Sequence, residues 1–191
     1  LSIRRQPQMC IRDSNYDTKS KAIPGYQVLR DIHGNPFSIY SMDRLNPKLS
    51  SGNVEEDFTA FMAEAQRLGM NVTVDFIAWL APDGVNESNY RWTVYRELRA
   101  EETDMNDIQL LDKNDKYFIV RITENGSTRK ILVKHMYDGM NRDQTYLNVF
   151  LPEVQQYYLF AIKRMIDRGV TGMRVDLAHL LFKKYFMYNF E

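Results

Sequence analysis

Cysteine is nearly absent from this 191-residue chain, which holds only Cys10. That residue sits in Met9-Cys10-Ile11-Arg12-Asp13-Ser14, the translation of ATG TGT ATA AGA GAC AG, an end sequence of a transposase used to prepare sequencing libraries. Arg5-Gln6-Pro7-Gln8 reads as its adaptor extension with one mismatch. Residues 1–14 are therefore set aside as a non-native segment. Without Cys10 there is no disulfide framework and no thiol chemistry. A surplus of one charge is lacking too. The segment carries Arg4, Arg5 and Arg12 against Asp13, which leaves 22 of 25 basic and 24 of 25 acidic residues. That balance makes no electrostatic case for nucleic acid or an anionic membrane as a partner. No apolar run approaches the roughly 20 residues of a membrane span. No clustered His/Asp/Glu set stands at metal-ligand spacing. What remains, 44% hydrophobic and 13% aromatic, suits a globular domain with a buried core.

Two segments echo each other. Gln66-Arg67-Leu68-Gly69-Met70-Asn71-Val72-Thr73-Val74-Asp75 ends a helix on glycine and enters a strand that finishes on aspartate. Asp167-Arg168-Gly169-Val170-Thr171-Gly172-Met173-Arg174-Val175-Asp176 does the same. In the first helix Phe58, Phe61, Met62, Ala65 and Leu68 recur at helical spacing, and Asn53 with Glu56 can cap its start. The second has Pro152 near its first position, then Val154, Tyr158, Ala161, Ile162 and Met165 on one face. Gly69 and Gly169 are expected as left-handed residues closing the helices. Repeated helix–glycine–strand units predict a parallel α/β sheet. Periodicity does not separate a closed barrel from a doubly wound sheet.

Residues 81–145 differ in character. An acidic, polar part (97–115) precedes two expected strands, 117–122 and 130–137, with the turn signal Asn125-Gly126 between them. A connection this long needs structure of its own.

The richest chemistry lies in Gly172-Met173-Arg174-Val175-Asp176. Arginine and aspartate on alternate strand positions share one face. A carboxylate beside a guanidinium stays ionised at neutral pH, as a nucleophile must. The competing role for Asp176 is to cap a helix over 177–182. The pentapeptide does not separate the two.

The run from Gly172 through Asp176 to His179 resembles the nucleophile motif of the α-amylase superfamily, glycoside hydrolase family 13. Asp143-Gln144, Leu147-Asn148 and Pro152-Glu153-Val154 resemble the approach to the preceding helix. Gly34-Asn35-Pro36-Phe37-Ser38-Ile39-Tyr40 and Leu45-Asn46-Pro47 look like the family's second-strand region. Glu56-Asp57-Phe58, Ala65-Gln66-Arg67-Leu68-Gly69-Met70 and Val74-Asp75-Phe76 continue in the family's order. The resemblance covers 24–182 apart from the middle insert.

It implies a partial (β/α)8 TIM barrel with a domain-B-like β-hairpin insert after the third strand. The parts would be 15–80 (about the second to the third strand), 81–145 (the insert) and 146–191 (third helix, fourth strand and the start of the next helix). It implies an α-glucan or oligosaccharide substrate and a retaining mechanism through a covalent glycosyl-enzyme. Asp176 would be the nucleophile and Arg174 the group that holds it ionised and oriented. His179 would contact sugar or, equally, sit on a helix surface; Asp75 would brace the site; Phe37 would stack on the terminal sugar. Trp79 and Leu80 stand where the family has an asparagine and a histidine. That asparagine commonly ligates calcium, so a calcium site is doubtful and no other cofactor is implied. Trp79 offers a sugar platform or, more simply, core packing under the insert. A transglycosylase of the same superfamily and a non-catalytic amylase-like binding domain are the alternatives, with an unrelated metal-binding α/β domain behind them. A barrel takes about 250 residues, so the 177 that follow the first fourteen are expected to be a piece of one, inactive and aggregation-prone alone. The acid/base glutamate and third carboxylate would lie on later strands. The compartment is left open.

Overall fold

In the computed structural model the described residues are 39–136, 144–176 and 178–181. The adaptor-like segment, Phe37 and Asp143 lie outside them.

Helix α1 (Val54–Arg67) forms because Asn53 caps it, its carboxamide oxygen accepting from the Glu55 N–H while its nitrogen donates to Glu56. Glu55, Glu56 and Asp57 fill the first turn, where negative charge suits the helix dipole. Gly69, at φ 68°, lets the chain turn out of the helix, and β1 (Thr73–Phe76) follows. The second unit repeats this. Helix α3 (Pro152–Asp167) starts on the expected proline, Gly169 adopts φ 91°, and β7 (Gly172–Val175) follows. Strands β1 and β7 pair in parallel, Thr73 with Gly172 through Phe76 with Val175. The parallel α/β unit expected from the echo therefore forms, with α3 as the crossover.

The residues that recur at helical spacing along the first helix are buried only in part. In α1 only Phe58 and Ala65 are buried, whereas Phe61 is 38% and Leu68 55% exposed. Phe58 packs with Leu45, Val74, Met165 and Val170 under the parallel pair. Phe61 lies at the rim of that contact, reaching Phe58 by a ring stack at 6.1 Å. In α3, Val154, Ala161 and Met165 are buried as the spacing predicts.

Between β1 and α3 the chain leaves through β2 (Trp79–Leu80) and returns through β6 (Thr145–Tyr146), which pairs antiparallel with β2. Inside this gate a three-stranded sheet is ordered β3 (Tyr95–Glu97), β5 (Ser127–Lys134), β4 (Tyr117–Glu124), with helix α2 (Asp107–Lys113) against β4. The hairpin turns at Asn125 (φ 52°) and Gly126 (φ 77°), the two positive dihedrals a two-residue turn of this kind needs. Its strands are each eight residues long, so β5 begins three residues before the expected 130. Val120, Ile122, Ile131 and Val133 alternate onto one face and close a core with Val85 and Tyr90.

The gate sits firmly on the parallel unit. The Ala81 N–H donates to the Ile39 carbonyl at 2.7 Å, and Gly84 passes so close to Tyr40 that a Cβ there would strike its carbonyl. The Trp92 and Tyr157 rings meet at 5.2 Å, and the Tyr157 hydroxyl accepts from the Met42 N–H.

Candidate active site

The register of the parallel pair builds the site. Asp75 and Arg174 are direct partners across β1 and β7, and cross-strand partners project from the same face. Asp176, two residues beyond Arg174, returns to that face. Its N–H donates to the Phe76 carbonyl at 3.1 Å, which holds the chain in line just past the strand end. Val74 and Phe76, on alternate positions, are buried on the other face. The sequence thus sorts itself, carboxylates and guanidinium to one side, apolar side chains to the side where the helices pack.

The Arg174 guanidinium forks between two carboxylates. Nη1 donates to Asp75 Oδ1 at 3.0 Å and Nη2 to Asp176 Oδ1 at 2.8 Å. Arg174 is 55% exposed, Asp75 25% and Asp176 17% along their side chains. The hydrogen bond to Asp75, then the charges of Asp75 and Asp176, raise the Arg174 pKa above its ordinary value. The guanidinium is a fixed cation under any working condition. Among the described residues no other donor reaches the Asp176 carboxylate. A carboxylate oriented by a guanidinium at the C-terminal end of a parallel strand can attack an electrophilic carbon.

Of the other candidates, Trp79 lies apart from this trio. Trp79 is 2% exposed, inside the core with Phe76, Leu80 and Tyr146, and offers no ring face to a sugar. That burial agrees with the packing reading of Trp79, which β2 pairs with Tyr146. His179 lies on the short 3-10 turn Ala178–Leu181, which occupies the place of the expected helix over 177–182. Phe37 is outside the described residues. No three His, Cys, Asp or Glu side chains among the described residues gather as a metal site.

Sequence reasoning missed the link between Asp75 and Arg174. It placed Tyr158 on the apolar face of the helix but missed its hydroxyl, which donates to the Ala78 carbonyl at 2.8 Å and anchors α3 behind β1. Burial pushes that phenol's pKa well above its usual range. A tyrosine among apolar helix positions was the available signal.

No family model matches the chain. It is 26% identical over 180 residues to the "Probable oligo-1,6-glucosidase 2" of Bacillus subtilis (strain 168), covering 84% of this chain and 29% of that protein. It is 26% identical over 137 residues to the "Probable alpha-glucosidase" of Rhizobium meliloti (strain 1021), covering 66% and 23%. The chain therefore spans less than a third of the length of these curated relatives. Among solved structures, the trehalulose synthase MutB from Pseudomonas mesoacidophila MX-45 superposes with a TM-score of 0.50 at 19% identity, covering 78% of this chain and 26% of that one. A MutB variant gives 0.52 over the same shares. The structural likeness places the fold with the TIM-barrel enzymes. The glucosidase names of the curated relatives agree with the α-amylase superfamily, glycoside hydrolase family 13, which the ordered motifs resemble.

Proposed function

We propose that this chain supplies the nucleophile half of an α-glucan-active retaining glycoside hydrolase site. Asp176 attacks the anomeric carbon of an α-glucosidic oligosaccharide and forms a covalent glycosyl-enzyme. Arg174 orients the attacking carboxylate, and Asp75 fixes Arg174 from the neighbouring strand. The observation that carries this reading is the fork itself. One guanidinium joins two carboxylates at adjacent strand ends, where parallel α/β folds do their chemistry. A lone ion pair of this kind is a poor way to stabilise a fold. The glucosidase names of the curated relatives support the substrate class.

In this reading residues 81–145 are the family's domain B, a wall of the substrate cleft, carried between barrel parts 15–80 and 146–191. His179, on the turn after Asp176, contacts the sugar, and Phe37 stacks on the terminal residue. The general acid/base that a retaining mechanism pairs with the nucleophile is assigned to no residue of this chain.

The test is covalent trapping in the full-length protein. A fluorinated α-glucosyl donor, which forms the glycosyl-enzyme faster than water releases it, should label Asp176, identified by peptide mass. Asp176→Asn should abolish both label and turnover while sugar binding survives. A label on another carboxylate, or turnover by the variant, removes Asp176 from the role. Adding a sugar acceptor and analysing products separates hydrolysis from glycosyl transfer, which the same intermediate serves.

A further inference from the structure

The asparagines of the described residues are nearly all occupied. The carboxamides of Asn53, Asn86, Asn89, Asn106, Asn114 and Asn148 each make a hydrogen bond, most of them capping a helix or closing a turn. Asn125 is different. It stands exposed at the tip of the β4–β5 hairpin, and its carboxamide makes no hydrogen bond among the described residues. Glycine follows it, and the Gly126 N–H donates to no backbone carbonyl there. The space around Gly126 is open, since a Cβ built on it would meet nothing within 4 Å. An uncrowded amide nitrogen that can close a five-membered ring on an unengaged carboxamide is the arrangement that cyclises.

We infer that Asn125-Gly126 is a spontaneous modification site, at which the hairpin tip deamidates through a succinimide. The Gly126 amide nitrogen loses its proton to solvent base and attacks Asn125 Cγ. The new N–C bond forms as the side-chain nitrogen leaves, taking up a proton, as ammonia. Water then opens the five-membered ring at either carbonyl. One opening gives aspartate, the other isoaspartate, in which the main chain runs through the former side chain. Nothing is oxidised or reduced; water is consumed and ammonia released.

The molecule contains its own control. Asn71 is also exposed, but Val72 follows it. The branched side chain of Val72 shields its amide nitrogen, and its N–H already donates to Thr171 Oγ1 at 3.0 Å. At the hairpin the consequence is local and definite. Aspartate sets a new carboxylate next to Glu124, which Arg91 and Arg129 already hold. Isoaspartate adds a methylene to a two-residue turn whose ladder pairs Glu124 with Ser127 and Thr123 with Thr128. A turn of this type tolerates no extra backbone atom without losing the register of those pairs.

The experiment is incubation of the intact chain at mildly alkaline pH, in parallel with the same chain unfolded in urea, followed by tryptic mapping. Cleavage after Arg121 and Arg129 isolates Asn125 on peptide 122–129, while Asn71 lies on peptide 68–91. In buffer, peptide 122–129 should gain the mass of deamidation and split into aspartate and isoaspartate forms, at a rate close to that in urea. Peptide 68–91 should stay intact over the same period. Protection of 122–129 in buffer relative to urea would overturn the inference, because the folded turn would then be blocking cyclisation. Equal conversion of 68–91 would overturn it as well.

Discussion

The sheet of the insert and the parallel pair beneath it solve the burial problem differently. In the insert, Ile122, Ile131, Leu132 and Val133 are fully buried, as are Leu110 and Leu111 of α2, so both faces of the sheet are covered within one stretch of chain. The parallel pair covers one face only. Val74 and Phe76 pack under the helices, but on the opposite face Arg174 is 55% exposed. On the helices, Leu159 and Ile166 of α3 are 66% and 58% exposed. Antiparallel sheets built from hairpins close on local sequence, whereas parallel sheets bury both faces only through successive βαβ units. The insert thus closes its sheet with local chain, whereas the parallel pair depends on α1 and α3 for the face it buries.

The sharpest way to break that contrast is to empty the insert's core. Ile131→Ala, at the centre of the sheet and fully buried, should cost about 2–5 kcal/mol. Hydrogen exchange should show the loss in the amides of β4 and β5, while β1 and β7 keep their protection. Equal loss in both regions would mean that the two share one cooperative core.

A smaller effect tests the insert's polar staple. Glu102 is fully buried, yet it accepts from Arg96 Nη1 at 2.7 Å and Nη2 at 2.8 Å, from the Arg99 N–H and from Asn114. The Arg96 hydrogen bonds hold its carboxyl far below the ordinary value of 4.5, against the effect of burial. A carboxyl lowered by folding stabilises fully above its unfolded value, and that contribution drains as pH falls below it. Circular dichroism should show the insert losing stability on acidification. Glu102→Gln should cost about 1–3 kcal/mol at neutral pH and flatten the acid slope. An unchanged slope would assign the acid sensitivity elsewhere.

Much of this was legible from sequence, because the signals were local. Glycines after helical stripes marked both α–β units, and Asn125-Gly126 marked the hairpin. The acidic stretch 97–115 was less legible. It read only as acidic and polar, yet Glu102 is buried, and α2 begins with a capping box of Asn106 and Gln109 that was there to be seen. What could not be read was register. Aligning the two echoing strands on their final aspartates sets Asp75 against Asp176, whereas the sheet sets Asp75 against Arg174. That offset of two residues turns an arginine–aspartate neighbour pair into a three-membered site. Strand register comes from packing between distant segments, which no window along the chain contains. The choice between the two readings of Trp79 was out of reach for the same reason, since its strand partner is Tyr146, sixty-seven positions away.

The smallest predicted effect probes the parallel side of the comparison. Asn53 caps α1 by accepting from the Glu55 N–H at 3.1 Å, and it is exposed, so its removal opens no cavity. Asn53→Ala should cost about 1 kcal/mol. The same loss in the insert would be absorbed by a core closed on both faces. In α1 it falls on a helix that buries only Phe58 and Ala65, where local opening competes directly with a thin layer of packing. Exchange should therefore rise in the first turn of α1 and spread along the helix toward Gly69, while β4 and β5 stay protected. A rise confined to the first turn would show that Phe58 and Ala65 anchor α1 on their own, and would narrow the difference between the two regions.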